Sequence, residues 1–151
     1  LQFFPLNNMS GLSIARLKID ELGKAQASVD LFWDALPSQK TITKFLSNPH
    51  NILLSAELDG TPVGQAIGYI LERWDIGLPM LFLYSIDVVE NYRRQGIGTA
   101  LITAIREIGR AEGCTEAFVF TNESNFAAMQ LYQSTGGKIS TPDDVVMFEY
   151  D

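Results

Sequence analysis

Two arginines and two glycines lie within six positions in the stretch Tyr92-Arg93-Arg94-Gln95-Gly96-Ile97-Gly98-Thr99-Ala100, where an apolar run, 80–89, gives way to a helical pattern. Their types and spacing suit an anion. The first backbone N–H groups of a helix have no partner within it and carry the positive end of its dipole, so they bind phosphate readily. Gly96 and Gly98 hold no side chain between ligand and backbone, and Arg93 and Arg94 add charge. Two other phosphate motifs are excluded. The pattern G-x-x-x-x-G-K-[ST] is absent, and a dinucleotide fingerprint fails because its third glycine position is Leu101. Other chemistry lacks its parts. His50 is the single histidine, beside Pro49 in a turn, so zinc sites and Ser-His or Cys-His catalysis are not expected. Cys114, the one cysteine, reads as packing rather than as a nucleophile.

Arg93-x-x-Gly96-x-Gly98 resembles the Q/R-x-x-G-x-G/A signature of the GCN5-related N-acetyltransferases, the GNAT superfamily. A second block agrees, since Asn125-x-x-Ala128-x-x-Leu131-Tyr132 is similar to the N-x-x-A-x-x-L-Y segment of the same family. The resemblance covers nearly the whole chain.

The elements that must position these residues are legible as patterns. Leu12 to Ile19 alternates as a first strand, and a helix opening at Asp20-Glu21 gathers Leu22, Ala25, Val29, Phe32, Trp33 and Leu36 on one face. A short helix over 41–46 stops at Asn48-Pro49. Strands over 52–58 and 63–71 flank Asp59-Gly60, which predicts an antiparallel hairpin. The central strand runs over 80–89. In the helix after it, Ile97, Ala100, Leu101, Ala104, Ile105 and Ile108 form one apolar stripe. A fifth strand over 117–121, a helix over 125–134 ended by Gly136-Gly137, and a last strand over 145–150 complete an α/β chain. The resemblance implies the GNAT fold: a mixed central sheet of about six to seven strands, splayed between the fourth and fifth, with helices on both faces.

At 151 residues the chain is long enough for one domain with a sizeable core. Met9 is expected to be the natural start, which makes 1–8 a non-native or disordered leader and 9–151 a single acetyltransferase domain. No uncharged run approaches the roughly 20 residues needed to span a bilayer, and the start, Leu1-Gln2-Phe3-Phe4-Pro5-Leu6, with no basic residue and a short apolar stretch, is not expected to act as a signal peptide. With one cysteine and no internal disulfide, the expectation is a cytoplasmic protein without a membrane partner. Net charge of −7 argues against nucleic acid and favours a small cationic partner.

The resemblance implies acetyl-CoA as cofactor, lying in the gap between the fourth and fifth strands. The main chain of Ile86 and Val88 would meet the pantetheine, and Arg93, Arg94, Gln95, Gly96, Ile97, Gly98 and Thr99 would hold the pyrophosphate. Asn125, Ala128 and Tyr132 would line the other side. Tyr132 matches the family tyrosine beside the thioester sulfur, where a phenol with reference pKa about 10 can protonate a thiolate with reference pKa about 8.5. The base is open. Asp144 and Glu149 are the catalytic candidates, with Asp87 or a chain of waters as alternatives, and the glutamate that some members use falls at Phe82. No metal is expected.

The ending from Asp143-Asp144 to Phe148-Glu149-Tyr150 resembles that of the aminoglycoside 3-N-acetyltransferases. The implied substrate is an aminoglycoside acetylated at its 3-amino group, which would confer resistance, with Asp75, Tyr84, Ser85, Asp143, Asp144 and Glu149 binding it. Ser85 and Asn125 stand where that subfamily has carboxylates, so a different small amine, a polyamine or a protein N-terminus is the alternative. An acetyl-CoA-binding module without turnover is a third reading, and the resemblance allows a homodimer.

Overall fold

The computed structural model describes residues 10–33, 37–140, 148 and 150. The chain divides after Phe120 into two compact units. In the first, β1 (Leu12–Arg16), α1 (Leu22–Asp30), α2 (Gln39–Leu46), β2 (Asn51–Leu58), β3 (Thr61–Leu71), β4 (Met80–Val88), α3 (Ile97–Ala111) and β5 (Glu116–Phe118) follow in order. The sheet runs β1-β2-β3-β4-β5. The first four strands are antiparallel and β5 joins β4 in parallel. The expected hairpin is present, with Asp59 and Gly60 at φ 49° and 81°, the left-handed pair that a two-residue turn matching strand twist requires.

Among the described residues five strands stand where six to seven were expected. The last expected strand, 145–150, falls outside the described residues apart from Phe148 and Tyr150, which are in neither helix nor strand. The proposed leader, 1–8, and the expected end of the first helix, 34–36, also fall outside them.

Helices cover both faces, and alternation along β3 assigns them. Gly64 and Gly68 face α3, where a Cβ added at Gly68 would come 2.8 Å from Ile105 and one at Gly64 would come 3.2 Å from Ile97 and Leu101. Ile67 points the other way. It packs with Leu17, Ala25, Ile42 and Leu53 under α1 and α2. Small residues at Gly64, Ala66 and Gly68 thus let α3 lie close to the strand, and Leu101, Ala104 and Ile105 are fully buried there. Full burial of one such leucine or isoleucine stabilises by about 1.5–3 kcal/mol.

The second unit contains α4 (Phe126–Ser134). The Asn125 side chain caps it by accepting from the Ala128 N–H at 3.2 Å. At its end Gly136, at φ 89°, donates to Gln133 O, and Gly137 donates to Tyr132 O at 2.8 Å. These two bonds satisfy carbonyls that the helix leaves open. Gly137 must lack a side chain, because an added Cβ would come 2.8 Å from Tyr132 O. It is therefore a helix stop rather than a gap in packing.

Replacing Gly68 by Val should cost about 1–3 kcal/mol, the usual penalty for overpacking. Urea unfolding with an unchanged midpoint would contradict the close approach of α3.

Candidate active site

A bulge in β4 opens the site. Ile67 pairs with Ser85 and Gly68 with Leu83, so Tyr84 is an extra residue between the two registers. Such a residue bends its strand. Pairing with β5 ends just before this point, covering Met80, Leu81 and Phe82 alone. The far edge of β4 then has no strand neighbour in this unit. Antiparallel peptide groups alternate, and Val89 N–H donates to Val63 O at 2.9 Å. With Gln65 opposite Asp87 and Ile67 opposite Ser85, the peptides of Ser85, Asp87 and Val89 turn toward β3. Those of Ile86 and Val88 turn to the open edge, as an added extended ligand requires. Arg93 Nε reaches back to Val88 O at 2.9 Å, which ties the following turn to that edge.

The turn itself is shaped for an anion. Arg94 has φ 58° and Gly96 φ 87°, two left-handed residues separated by Gln95. Alternation of this kind gathers backbone N–H groups into an anion-binding concavity. Gln95 steadies it by donating from Nε2 to Asn91 O at 3.1 Å. α3 starts at Ile97 without a side-chain cap, whereas Ser38 caps α2 and Asn125 caps α4. The first helical bond is Ala100 N–H to Gly96 O, so the N–H groups of Ile97, Gly98 and Thr99 are left to an external acceptor. Arg93, Arg94, Gln95, Gly96 and Thr99 are exposed, while Ile97 is buried and anchors the turn.

On the α1–α2 side of β3 and β4 the lining is aromatic. Tyr69 and Tyr84 meet edge to face at 5.8 Å, and Phe82 stacks on Phe118 at 5.0 Å. Tyr69 and Tyr84 also line a cavity of about 260 Å3 with Trp33, Phe45, Val29 and Ile67. Burial, and then Tyr84, push the Tyr69 phenol above its ordinary value. Phe82, where a glutamate base would stand, belongs to this cluster. The expected cleft of carboxylates is thus not what the described residues form here. Of this lining, Tyr84 alone is expected from the sequence to touch substrate. Tyr69, Trp33 and Phe45 are brought to it from three other elements that no local pattern connects.

Asp75 lies elsewhere. It sits in the loop before β4, and Arg73 donates to it from Nε at 3.0 Å and pairs with it at 2.5 Å through Nη2. The same guanidinium reaches Glu116 at 3.4 Å. Arg73 holds the Asp75 carboxyl below its ordinary value, so this group is an ion-pair partner at the end of β4 opposite the anion turn. Ser85 is on β4 beside the bulge, its Oγ buried. Cys114 is half-buried, and burial followed by Glu112 push its thiol up, away from nucleophilic use. In the second unit Asn125, Ala128 and Tyr132 lie on α4, where the Asn125 side chain is engaged as the helix cap. Asp143, Asp144 and Glu149 lie outside the described residues. Among the described residues no group of three or more His, Cys, Asp or Glu could hold a metal, and no helix is long and apolar enough to cross a membrane.

The model of the acetyltransferase (GNAT) family matches residues 20–136. The chain belongs to this family. GNAT acetyltransferases take their acetyl group from acetyl-CoA, and the open Ile86–Val88 edge and the free N–H groups of Ile97 to Thr99 fit an extended pantetheine and a pyrophosphate. An N-alpha-acetyltransferase of Sulfurisphaera tokodaii is 38% identical over 97 residues, 55% of this chain and 54% of that one. An aminoglycoside N(6')-acetyltransferase type 1 of Salmonella typhimurium is 28% identical over 96 residues, 62% of this chain and 66% of that one. Among solved structures, an aminoglycoside acetyltransferase from an uncultured soil metagenomic sample, in complex with sisomicin, aligns with TM-score 0.83 and 29% identity, covering 93% of this chain and 96% of that one. The chain spans about half the length of the curated relatives it matches.

Asp75→Asn should leave the KM for any amine substrate within about twofold, measured by steady-state thiol release, while a rise of tenfold or more would return Asp75 to the substrate site. Because its carboxyl is depressed in the folded state, its contribution to stability is present above its ordinary value of 3.8 and is lost as pH falls further. Acid unfolding of Asp75→Asn and wild type should therefore differ near neutral pH and converge at the acid end.

Proposed function

We propose that this protein transfers the acetyl group of acetyl-CoA to a primary amine of an aminoglycoside. The observation that carries the reading is the pairing of the uncapped α3 turn with the open β4 edge, in a chain that is 29% identical over 93% of its length to an aminoglycoside acetyltransferase. The aminoglycoside relatives named with a position are 6'-enzymes, which favours the 6'-amine over the 3-amine implied by the sequence ending. Acetylation removes one cation from such a drug, and so would confer resistance in a cytoplasmic setting.

Acetyl-CoA supplies the thioester, and the protein residues do the rest. The N–H groups of Ile97, Gly98 and Thr99, with Arg94 beside them, would hold the pyrophosphate. The Ile86 and Val88 peptides would hold the pantetheine, and the Val88 N–H would support charge developing on the thioester oxygen. Tyr132 is assigned to give a proton to the departing sulfur. The aromatic wall of Tyr69, Tyr84 and Trp33 would receive the acceptor, since an ammonium is attracted to ring faces and sugar rings lie flat against them. Asp143, Asp144 and Glu149 remain the proposed groups for the other ammoniums.

A second reading is favoured by the same cavity. Its apolar lining suits the first side chain of a peptide, and the archaeal relative is an N-alpha-acetyltransferase.

Thiol release measured against kanamycin, sisomicin, spermidine and short peptides with apolar first residues separates the readings. Turnover on an aminoglycoside is expected, and turnover on peptides alone would overturn it. Tyr132→Phe should lower kcat about 100-fold, within the usual range for a lost general acid, and leave acetyl-CoA affinity unchanged.

A further inference from the structure

A row of polar side chains crosses the sheet on the face covered by α1. Ser55, Gln65 and Asp87 are direct cross-strand neighbours on β2, β3 and β4, with the apolar Ala15 of β1 beyond Ser55. Ser55 is 2% exposed and Gln65 0%. The face follows from alternation, because Leu53 and Ile67, two residues along from Ser55 and Gln65, pack under α1 and α2. α1 brings Ser28, also 0% exposed, to the same layer.

These groups are incompletely satisfied. Gln65 Nε2 donates to Asp87 Oδ2 over 3.5 Å, which leaves Gln65 Oε1 without a partner among the described residues. Ser28 Oγ, Ser55 Oγ and Ser85 Oγ are buried and equally unpartnered. An orphaned buried oxygen is costly, and four in one region need a common explanation. Ordered water, which takes two to four polar partners, would supply it.

The row ends where the chemistry needs a base. Ser85 pairs with Ile67, on the floor of the aromatic cavity, and Asp87 is two residues further along the same face, about 7 Å by strand geometry. Its neighbours Ile86 and Val88 are the two residues whose peptides turn to the open edge. Asp87 is also the one carboxylate in β4.

We propose that Asp87 accepts the proton of the incoming ammonium, and that Gln65 positions it through a water-bearing row completed by Ser28, Ser55 and Ser85. This rests on the acetyltransferase reading. An N–H bond of the ammonium breaks, its electron pair stays on nitrogen as the nucleophilic lone pair, and the proton passes directly or through one water to an Asp87 carboxylate oxygen. Asp87 returns it to solvent by the same route. The titratable and charged groups of the elements around the row are Arg16 on β1, Glu57 on β2, Tyr69 on β3, Tyr84 on β4, Lys24 and Asp30 on α1, and Lys40 and Lys44 on α2. Lys24 pairs with Glu57 at 3.7 Å, and Asp30 accepts from Gln26 Nε2 at 2.6 Å. Gln65 is the polar side chain that bonds Asp87.

The test is the pH dependence of kcat/KM for wild type, Asp87→Asn, Asp87→Glu and Gln65→Leu on the amine that wild type acetylates, with acetyl-CoA affinity as the control for folding. Asp87→Asn should lose about 100-fold at neutral pH and regain rate about tenfold per pH unit as free amine accumulates. Asp87→Glu should recover part of the loss. Gln65→Leu should lower kcat more than it raises KM. A wild-type profile in Asp87→Asn would overturn the proposal while leaving the acetyltransferase reading intact. Wild type inactive on every amine would overturn that reading and this proposal with it. A high-resolution crystal structure gives a readout free of turnover: water bonded to Ser55 Oγ and Gln65 Oε1 is expected, and a dry row would overturn the water-bearing arrangement.

Discussion

Among the described residues β4 has a strand on one side only beyond Phe82, and most of what the site can do follows from that. β3 takes the peptide groups of Ser85, Asp87 and Val89, which leaves those of Ile86 and Val88 directed at the open edge. Buried or partly buried peptide groups need partners, so an extended ligand with amide groups of its own completes the sheet at that edge. The extra residue at Tyr84 sets where the opening begins. It also places a phenol at the mouth of the aromatic cavity.

The anion turn depends on how firmly α3 is seated. Gly64, Ala66 and Gly68 let the helix lie against β3, and Leu101, Ala104 and Ile105 fix it there. A helix held by its buried stripe can leave its first N–H groups uncapped, because packing rather than capping supplies its stability. The left-handed Arg94 is held by two local bonds, Arg93 Nε to Val88 O and Gln95 Nε2 to Asn91 O. The arginine that looks most like a phosphate ligand in the sequence thus also joins strand and turn through its Nε.

The legible parts were those whose signal is local. The Asp59-Gly60 hairpin, the stripe on α3, the helix expected over 125–134 and the glycine-bearing turn each show in a few adjacent residues, and each is found within a residue or two of its expected place. The strand count was not legible to the same degree, since β5 closes after three residues, Glu116 to Phe118, where Thr121 had been its expected end. The aromatic wall was hidden for a different reason. Trp33, Phe45, Tyr69 and Tyr84 come from separate elements, and only the sheet register together with the bulge brings them into one cavity. Asp75 is named for substrate by the resemblance alone, and its ion pair with Arg73, two residues away, shows only in the folded loop. Asp87 could be placed facing away from Ile86 and Val88 by alternation alone; its contact with Gln65 required the pairing of β3 with β4.

The central claim is that β4 and the start of α3 together form the acetyl-CoA site, and amide hydrogen exchange with and without coenzyme A tests it most directly. The account predicts slowed exchange at Ile86, Val88, Ile97, Gly98 and Thr99 on binding, with Ser85 and Asp87 already protected by β3 in the free protein. Binding that leaves Ile86 and Val88 unchanged, or that protects Ser85 and Asp87 instead, would contradict it.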